Sequence, residues 1–213
     1  MLEWPHDTRK TRGRIDGPAG ALEVAVGVPA DTPSGMALVC HPHPQQGGTM
    51  DNKVVTMLAR AANEMGLAAV RFNFRGVGDS AGDYDGGHGE VEDARAAAHW
   101  ARTASDLPLT VLAGFSFGSA VALRLLTSEM VPALITVGFP AEYFTANLPR
   151  PECDWLALFG SDDDVIAVDT AIERVRALQP PPDVVIMDGA GHFLHGRLTE
   201  LRRHVRTFLG QLG

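Results

Sequence analysis

The sequence predicts an α/β fold in which a mostly parallel central sheet is flanked by helices. Short apolar runs alternate with amphipathic stretches along the 213 residues, the connecting segments are short, and a glycine-flanked serine separates a strand-like run from a helix-like one. Such alternation favours parallel strands, because each crossover lays a helix over one face of the sheet. We therefore expect one domain that spans residues 1–213.

The elements follow one another in a regular order. The expected strands cover residues 22–29, 36–40, 67–74, 109–113, 133–139, 154–160 and 183–187. The expected helices cover residues 51–64, 90–101, 119–126, 168–178 and 198–209. The first strand alternates as an antiparallel strand does, whereas the later apolar runs are typical of buried strands. Residues 140–153 are too few for a lid between two core strands, so we expect an open, shallow site.

Composition excludes several classes of protein. The chain is 45% hydrophobic and 21% charged, as in ordinary globular proteins, and its net charge of −8 argues against nucleic acid or an anionic membrane as a partner. The two cysteines, Cys40 and Cys153, do not suggest a disulfide framework. No apolar run is long enough to span a membrane, and the N-terminus has no signal-peptide core. We expect a cytoplasmic protein.

The most informative motif is G-F-S-F-G at residues 114–118. A strand-like run precedes it and a helix-like run follows it, which is the context of a nucleophilic serine on a strand–turn–helix elbow. The two glycines allow the strand and the helix to cross closely, and the hydroxyl of Ser116 then points outward. The alternative is an ordinary serine at a strand–helix turn.

A serine needs a neighbouring base, and the base needs a carboxylate to orient it. In this architecture both must follow strands, in the order Ser, Asp or Glu, His. Aspartates 162, 163 and 164 follow one strand, and the spacing G-x-x-D-x-V, from Gly160 to Val165, favours Asp163. We expect the other two to be solvated or to cap the next helix. His192 follows the last strand on a glycine loop and is the expected base, while His195 is expected to be a surface or capping residue.

The loop C-H-P-H-P-Q-Q-G-G at residues 40–48 follows the strand expected beside Ser116. Its chemistry would be backbone N–H donation to a developing oxyanion. Proline has no N–H, so the candidate donors are His43 and Gln45, of which we favour His43, together with the N–H of Phe117. A metal site formed by His41, His43 and Asp51 is a weaker alternative, because the H-x-H spacing fixes no third ligand.

The run G-V-G-D-S-A at residues 76–81 also matches a dinucleotide-binding pattern. Such glycines must open a helix whose N-terminus holds the pyrophosphate. Here further glycines and aspartates follow, so we expect no helix and interpret the run as a loop beside the active site.

Taken together, these motifs resemble those of small, lidless α/β-hydrolases over nearly the whole chain. The resemblance rests on H-P-H-P with Gly47-Gly48, on R-F-N-F-R-G-V-G-D-S, on G-F-S-F-G, on Gly160 with Asp163 and Val165, and on G-A-G-H-F. It is closest to bacterial serine hydrolases near the dienelactone hydrolase and acyl-peptidase branches. It implies an α/β-hydrolase fold without a lid domain and supports Asp163 as the acid. Dienelactone hydrolases use a cysteine where this chain has Ser116.

We therefore expect a serine hydrolase that cleaves a carboxylic ester or related acyl bond. Its catalytic residues would be Ser116, Asp163 and His192, and its oxyanion donors Phe117 and His43. We expect a small-molecule acyl substrate, no cofactor or metal, no nucleic acid or membrane partner, and a monomer or homodimer. The alternatives are a peptidase or thioesterase with the same triad, and a non-catalytic binding protein on this fold.

Overall fold

The computed structural model describes residues 2–5, 10–145 and 147–212. These residues form one eight-stranded sheet with helices on both faces, in the spatial order β1-β2-β4-β3-β5-β6-β7-β8. The strands are β1 Thr11–Gly17, β2 Gly20–Gly27, β3 Gly35–Cys40, β4 Leu67–Phe72, β5 Leu109–Phe115, β6 Ala133–Val137, β7 Asp154–Gly160 and β8 Asp183–Met187. The helices are α1 Lys53–Glu64, α2 His88–Ser105, α3 Phe117–Leu125, α4 Val168–Arg176 and α5 Leu198–Leu209.

Strands β1 and β2 pair antiparallel, as do β2 and β4, while every other neighbouring pair is parallel. The predicted fold class, an α/β-hydrolase fold with a mostly parallel sheet, is confirmed. Strand β1 was not predicted from the sequence. It is largely exposed and polar, with Ile15 as its one buried residue, so it lacks the apolar pattern that the other strands have.

The helices divide between the two faces of the sheet. Buried side chains of α2, α3 and α4 pack in one apolar cluster, and those of α1 and α5 pack in the other. Each α/β unit thus buries the apolar stripe of its helix against the apolar strands, which is the layered arrangement that the sequence periodicity predicts.

The strand register brings several loops to one edge of the sheet. Cys40 lies opposite Gly114, Phe115 opposite Val137, Val137 opposite Leu158 and Gly160 opposite Met187. The segments that follow β3, β5, β6, β7 and β8 therefore emerge together at the carboxyl edge, where ligands bind in open α/β sheets.

Between β6 and β7, the described residues contain one short 3₁₀ turn, Ala141–Tyr143, and no inserted helical lid. The prediction of a lidless arrangement agrees with this connection. No helix in the described ranges combines the length and the apolar character that crossing a bilayer requires.

Candidate active site

Ser116 stands at the junction of β5 and α3 in a strained backbone conformation. Its φ of 53° and ψ of −124° lie outside the regions that ordinary residues favour. Its backbone N–H donates to the carbonyl oxygen of Val137 at 2.8 Å, and its carbonyl oxygen accepts from the Ser119 hydroxyl at 2.6 Å. These bonds fix the turn, and its geometry is that of a nucleophile elbow.

The two motif glycines are required by close backbone contacts. A Cβ at position 114 would lie 2.3 Å from the carbonyl oxygen of Gly118. A Cβ at position 118 would lie 2.4 Å from the carbonyl oxygens of both Cys40 and His41. The first contact closes the elbow, and the second brings the start of α3 against the end of β3. Steric contacts therefore require glycine at both positions.

Asp163 and His192 form a buried hydrogen-bonded pair. Nδ1–H of His192 donates to Oδ2 of Asp163 at 2.7 Å, and both side chains are almost completely buried. The other oxygen, Oδ1, accepts the backbone N–H groups of Val165 and Ile166 at 3.0 and 3.2 Å. Burial alone would raise the pKa of Asp163. The hydrogen bonds from His192, Val165 and Ile166 outweigh this effect, so the net pKa lies below its ordinary value.

The imidazole of His192 lies beside the turn that carries Ser116. Its ring centroid is 4.9 Å from that of Phe115, the residue before the serine. On its other side, a Cβ added at Gly138 would lie 3.0 Å from the His192 Cε1 atom. Within the described residues no hydrogen bond joins the Ser116 hydroxyl to His192. Catalytic hydrogen bonds are often long in unliganded sites and shorten when substrate binds.

The loop after β3 lies directly against the start of α3. The His43 and Phe117 rings are 5.1 Å apart, and the His43 Nδ1 atom accepts the N–H of Gln45 at 3.2 Å. Among the described residues, the backbone N–H groups of His43 and Phe117 donate to no other group. A Cβ at Gly48 would lie 2.0 Å from the Pro42 carbonyl oxygen, so this tight loop requires glycine there.

His41, the other histidine of this loop, is fully buried and has a structural role. Its Nδ1 lies 2.6 Å from the Pro42 carbonyl oxygen, and its Nε2 accepts the N–H of Phe74 at 3.0 Å. Burial lowers its pKa to about 4. Both ring nitrogens are engaged, so His41 ties the segment after β3 to the segment after β4.

The metal alternative does not fit this arrangement. Asp51 is paired with Arg12 at 2.8 Å and with Arg71 at 3.2 Å. In the described parts of the chain, no three His, Cys, Asp or Glu side chains are grouped as metal ligands.

The glycine-rich run that matched a dinucleotide pattern is a loop anchored by a buried carboxylate. Glu23 accepts hydrogen bonds from Asn73 Nδ2 at 2.7 Å, from the Asp79 N–H at 3.0 Å and from Arg12 Nε at 2.7 Å. The Ser80 hydroxyl donates to the Asn73 carbonyl oxygen at 2.7 Å. No helix begins at Gly78, which supports the interpretation of residues 76–81 as a structural loop.

The other sequence candidates lie in different settings. Asp162 and Asp164 are exposed, as expected, but neither caps the following helix: α4 has Ala167 at its N-cap and no side-chain cap, and Asp162 accepts from Ser161. Cys40 is buried, and burial raises the thiol pKa above its usual range. Burial also raises the pKa of Cys153, to about 11, and this residue precedes β7, at the opposite edge of the sheet from Ser116.

Sequence reasoning missed one group of residues at this edge. The segment 193–198 faces the loop 47–54 across a cavity of about 380 Å³, beside the loop that holds His192. Phe193 is the next residue after the expected base and is 46% exposed. An aromatic residue directly after a candidate catalytic histidine was the available signal, but loop conformation decides which way it points.

The comparisons with known proteins support the α/β-hydrolase fold. An uncharacterized protein of Rickettsia prowazekii is 31% identical over 209 residues, which cover 92% of this chain and 87% of that protein. A Xanthomonas campestris structure, described as an α/β serine hydrolase without a lid, has a TM-score of 0.91 and 37% identity over 99% of this chain and 97% of its own.

A third protein, an α/β serine hydrolase homologue from Coxiella burnetii, gives a TM-score of 0.90 with 41% identity over 96% of this chain and 99% of its own. No family model matches the sequence. The fold and the elbow define a hydrolase of the α/β class. The chain belongs to the α/β-hydrolase superfamily, in common with the lidless serine hydrolase from Xanthomonas.

Proposed function

We propose that this protein is a serine hydrolase that cleaves small carboxylic esters through an acyl-enzyme. The observation that carries the proposal is the buried Asp163–His192 pair lying against the strained turn of Ser116. A base with an orienting carboxylate, placed next to a partly exposed nucleophile, is the arrangement that acyl transfer requires.

In the first half of the reaction, Nε2 of His192 accepts the Ser116 proton as Oγ attacks the acyl carbon. Asp163 holds the Nδ1–H tautomer through its 2.7 Å hydrogen bond, so that Nε2 is free to act as the base. The carbonyl oxygen becomes an oxyanion that accepts the N–H groups of Phe117 and His43. Each such donor contributes about 3–4 kcal/mol to transition-state stabilisation in comparable sites.

When this first intermediate collapses, protonated His192 donates its proton to the leaving alkoxide, which departs as an alcohol. The acyl group remains bonded to Ser116 Oγ. Water then loses a proton to His192 and attacks the acyl carbon. As the second intermediate collapses, His192 returns that proton to Ser116 Oγ, which releases the acid and restores the serine. His192 accepts or donates the proton in every step of this reaction.

The test is turnover of p-nitrophenyl acetate by the Ser116→Ala variant. We expect kcat to fall at least 10³-fold, because the nucleophile is lost while the oxyanion donors remain. Ser128→Ala is the matched control, since Ser128 is exposed and lies beyond the far end of α3 from Ser116. Undiminished turnover by folded Ser116→Ala would remove Ser116 from the reaction. Parallel assays with thioester and peptide substrates would distinguish an esterase from the related hydrolases.

A further inference from the structure

We propose that the cavity between the loop 47–54 and the segment 193–198 is the leaving-group subsite, and that it selects esters of aromatic alcohols. The inference rests on the proposed ester hydrolysis and names the substrate class of the same site. The cavity of about 380 Å³ is lined on one side by Phe193, His195 and Leu198, and on the other by Gly47, Thr49 and the polar side chains of Asp51, Asn52 and Lys53. Cavities of about 150 Å³ hold benzene, so a benzyl group fits here.

Phe193 is an exposed aromatic ring held in a fixed position. Its ring lies 5.9 Å from Phe115 and 5.2 Å from His192, edge-on to both, and it stacks on His195 at 5.9 Å with 23° between the planes. Three ring contacts restrict its rotamer, yet 46% of the residue stays exposed. A rigid apolar surface left open beside a catalytic centre is typical of a binding site.

The backbone around Phe193 is strained in a way that exposes this ring. Leu194 has a φ of 50°, which an L-residue rarely adopts, and its side chain is 1% exposed in the core. Its N–H donates to the Gly191 carbonyl oxygen at 3.0 Å, and its own carbonyl accepts from Arg197 at 2.9 Å. The turn buries Leu194 and leaves Phe193 on the cavity side. Such strain is retained mainly where function requires it.

The position of Phe193 next to His192 assigns the cavity to the leaving group. The protonated imidazole must reach the oxygen of the departing alcohol, so that alcohol lies on the His192 side of the tetrahedral carbon. The proposed oxyanion donors belong to the segments after β3 and β5, where His43 packs against Phe117 and Tyr84. We assign the alcohol to the cavity beside Phe193 because that ring packs directly against His192.

The test compares benzyl acetate with methyl acetate, which share the acyl group and release simple alkanols. We expect the wild-type protein to prefer benzyl acetate in kcat/KM, and the ratio of the two values to fall about tenfold in Phe193→Leu and in Phe193→Ala, because an aromatic contact is lost. Ile186→Ala, which truncates another exposed apolar side chain, is the control and should leave the ratio within twofold. Thermal unfolding verifies that each variant is folded, and Phe193→Leu keeps the test valid if the alanine variant is not.

Two results would overturn the subsite. The first is a wild-type protein that hydrolyses both esters without preferring benzyl acetate, and the second is an unchanged ratio in Phe193→Leu. Both would leave the proposed ester hydrolysis intact. A folded wild-type protein that hydrolyses neither ester would instead contradict the proposed function, and the subsite with it.

Discussion

At the scale of single residues, the site depends on groups that each satisfy two demands. Oδ1 of Asp163 accepts the N–H groups of Val165 and Ile166, while Oδ2 accepts Nδ1–H of His192. The two backbone hydrogen bonds fix the rotamer of the carboxylate, and the hydrogen bond to His192 fixes the tautomer of the imidazole. Ser116 similarly anchors the start of α3 while its hydroxyl stays partly accessible. Strain of this kind costs about 1–3 kcal/mol and is maintained by the surrounding contacts.

The substitution Asp163→Asn tests the tautomer. The two backbone N–H groups hold an oxygen at the Oδ1 position, so the new amide NH₂ faces His192 and donates to Nδ1. The proton then resides on Nε2, which can no longer act as a base, and we expect kcat for p-nitrophenyl acetate to fall about 10³–10⁴-fold. Asp164→Asn, an exposed neighbour, should retain activity within twofold. Equal activity of the two variants would remove Asp163 from the mechanism.

At the scale of elements, buried polar contacts hold the loops of the carboxyl edge in place. His41 joins the end of β3 to the segment after β4, and Glu23 of β2 accepts from Asn73 and Asp79 in the segment that follows. The guanidinium of Arg75 donates two hydrogen bonds to buried Asp93 of α2, at 3.0 and 2.8 Å. These contacts hold the segments after β3 and β4 in place.

His41 gives the fold a specific pH dependence. Burial lowers its pKa from 6.5 to about 4. Above pH 6.5 both folded and unfolded states carry a neutral imidazole, whereas between pH 6.5 and 4 only the unfolded state binds the proton. Stability is therefore lost as pH falls through this window, by about 3 kcal/mol from this group. Urea unfolding at several pH values measures it.

The variant His41→Gln should lose this part of the pH dependence, and His99→Gln, at an exposed position on α2, should keep it. A wild-type free energy of unfolding that stays constant from pH 6.5 to 4.5 would show that His41 titrates normally in the folded state.

The elements that the sequence predicted well are those whose burial leaves a pattern. Strands β7 and β8 and helix α5 were predicted with the bounds that they have, because apolar runs and a 3.6-residue period mark them. Strand β1 was missed because most of its own residues are polar and exposed. Helix α2 is longer than expected, and its first turn begins at His88. Tertiary pairing with β2 decides the first case, and local capping decides the second.

Within the site, chain order was enough to identify Ser116 and His192 as candidates and to limit the acid to three aspartates, because in parallel sheets the loops after strands share one edge. The choice of Asp163 among the three also rested on the family resemblance. Chain order did not predict the residues that line the cavity beside Phe193. The cavity beside Phe193 depends on a positive φ at Leu194, a residue for which this conformation is uncommon and which no sequence pattern signals.

At the scale of the whole molecule, the absence of a lid in the described part of the β6–β7 connection leads to a kinetic prediction. A site that needs no lid opening responds to dissolved substrate alone. We expect hyperbolic saturation with p-nitrophenyl butyrate and no abrupt rise in rate when the ester concentration passes its solubility limit. A sharp increase at that limit, measured in stirred emulsions against a detergent-free control, would indicate interfacial opening and contradict the account.

The proposed function depends most on the activation of Ser116 by His192, and labelling with a fluorophosphonate probe tests this activation directly. Peptide mapping by mass spectrometry should place a single label on Ser116 in the wild-type protein. The labelling rate should fall at least 100-fold in a folded His192→Ala variant, because the base is lost. A label on another residue, or an equal rate of labelling in the two proteins, would contradict it.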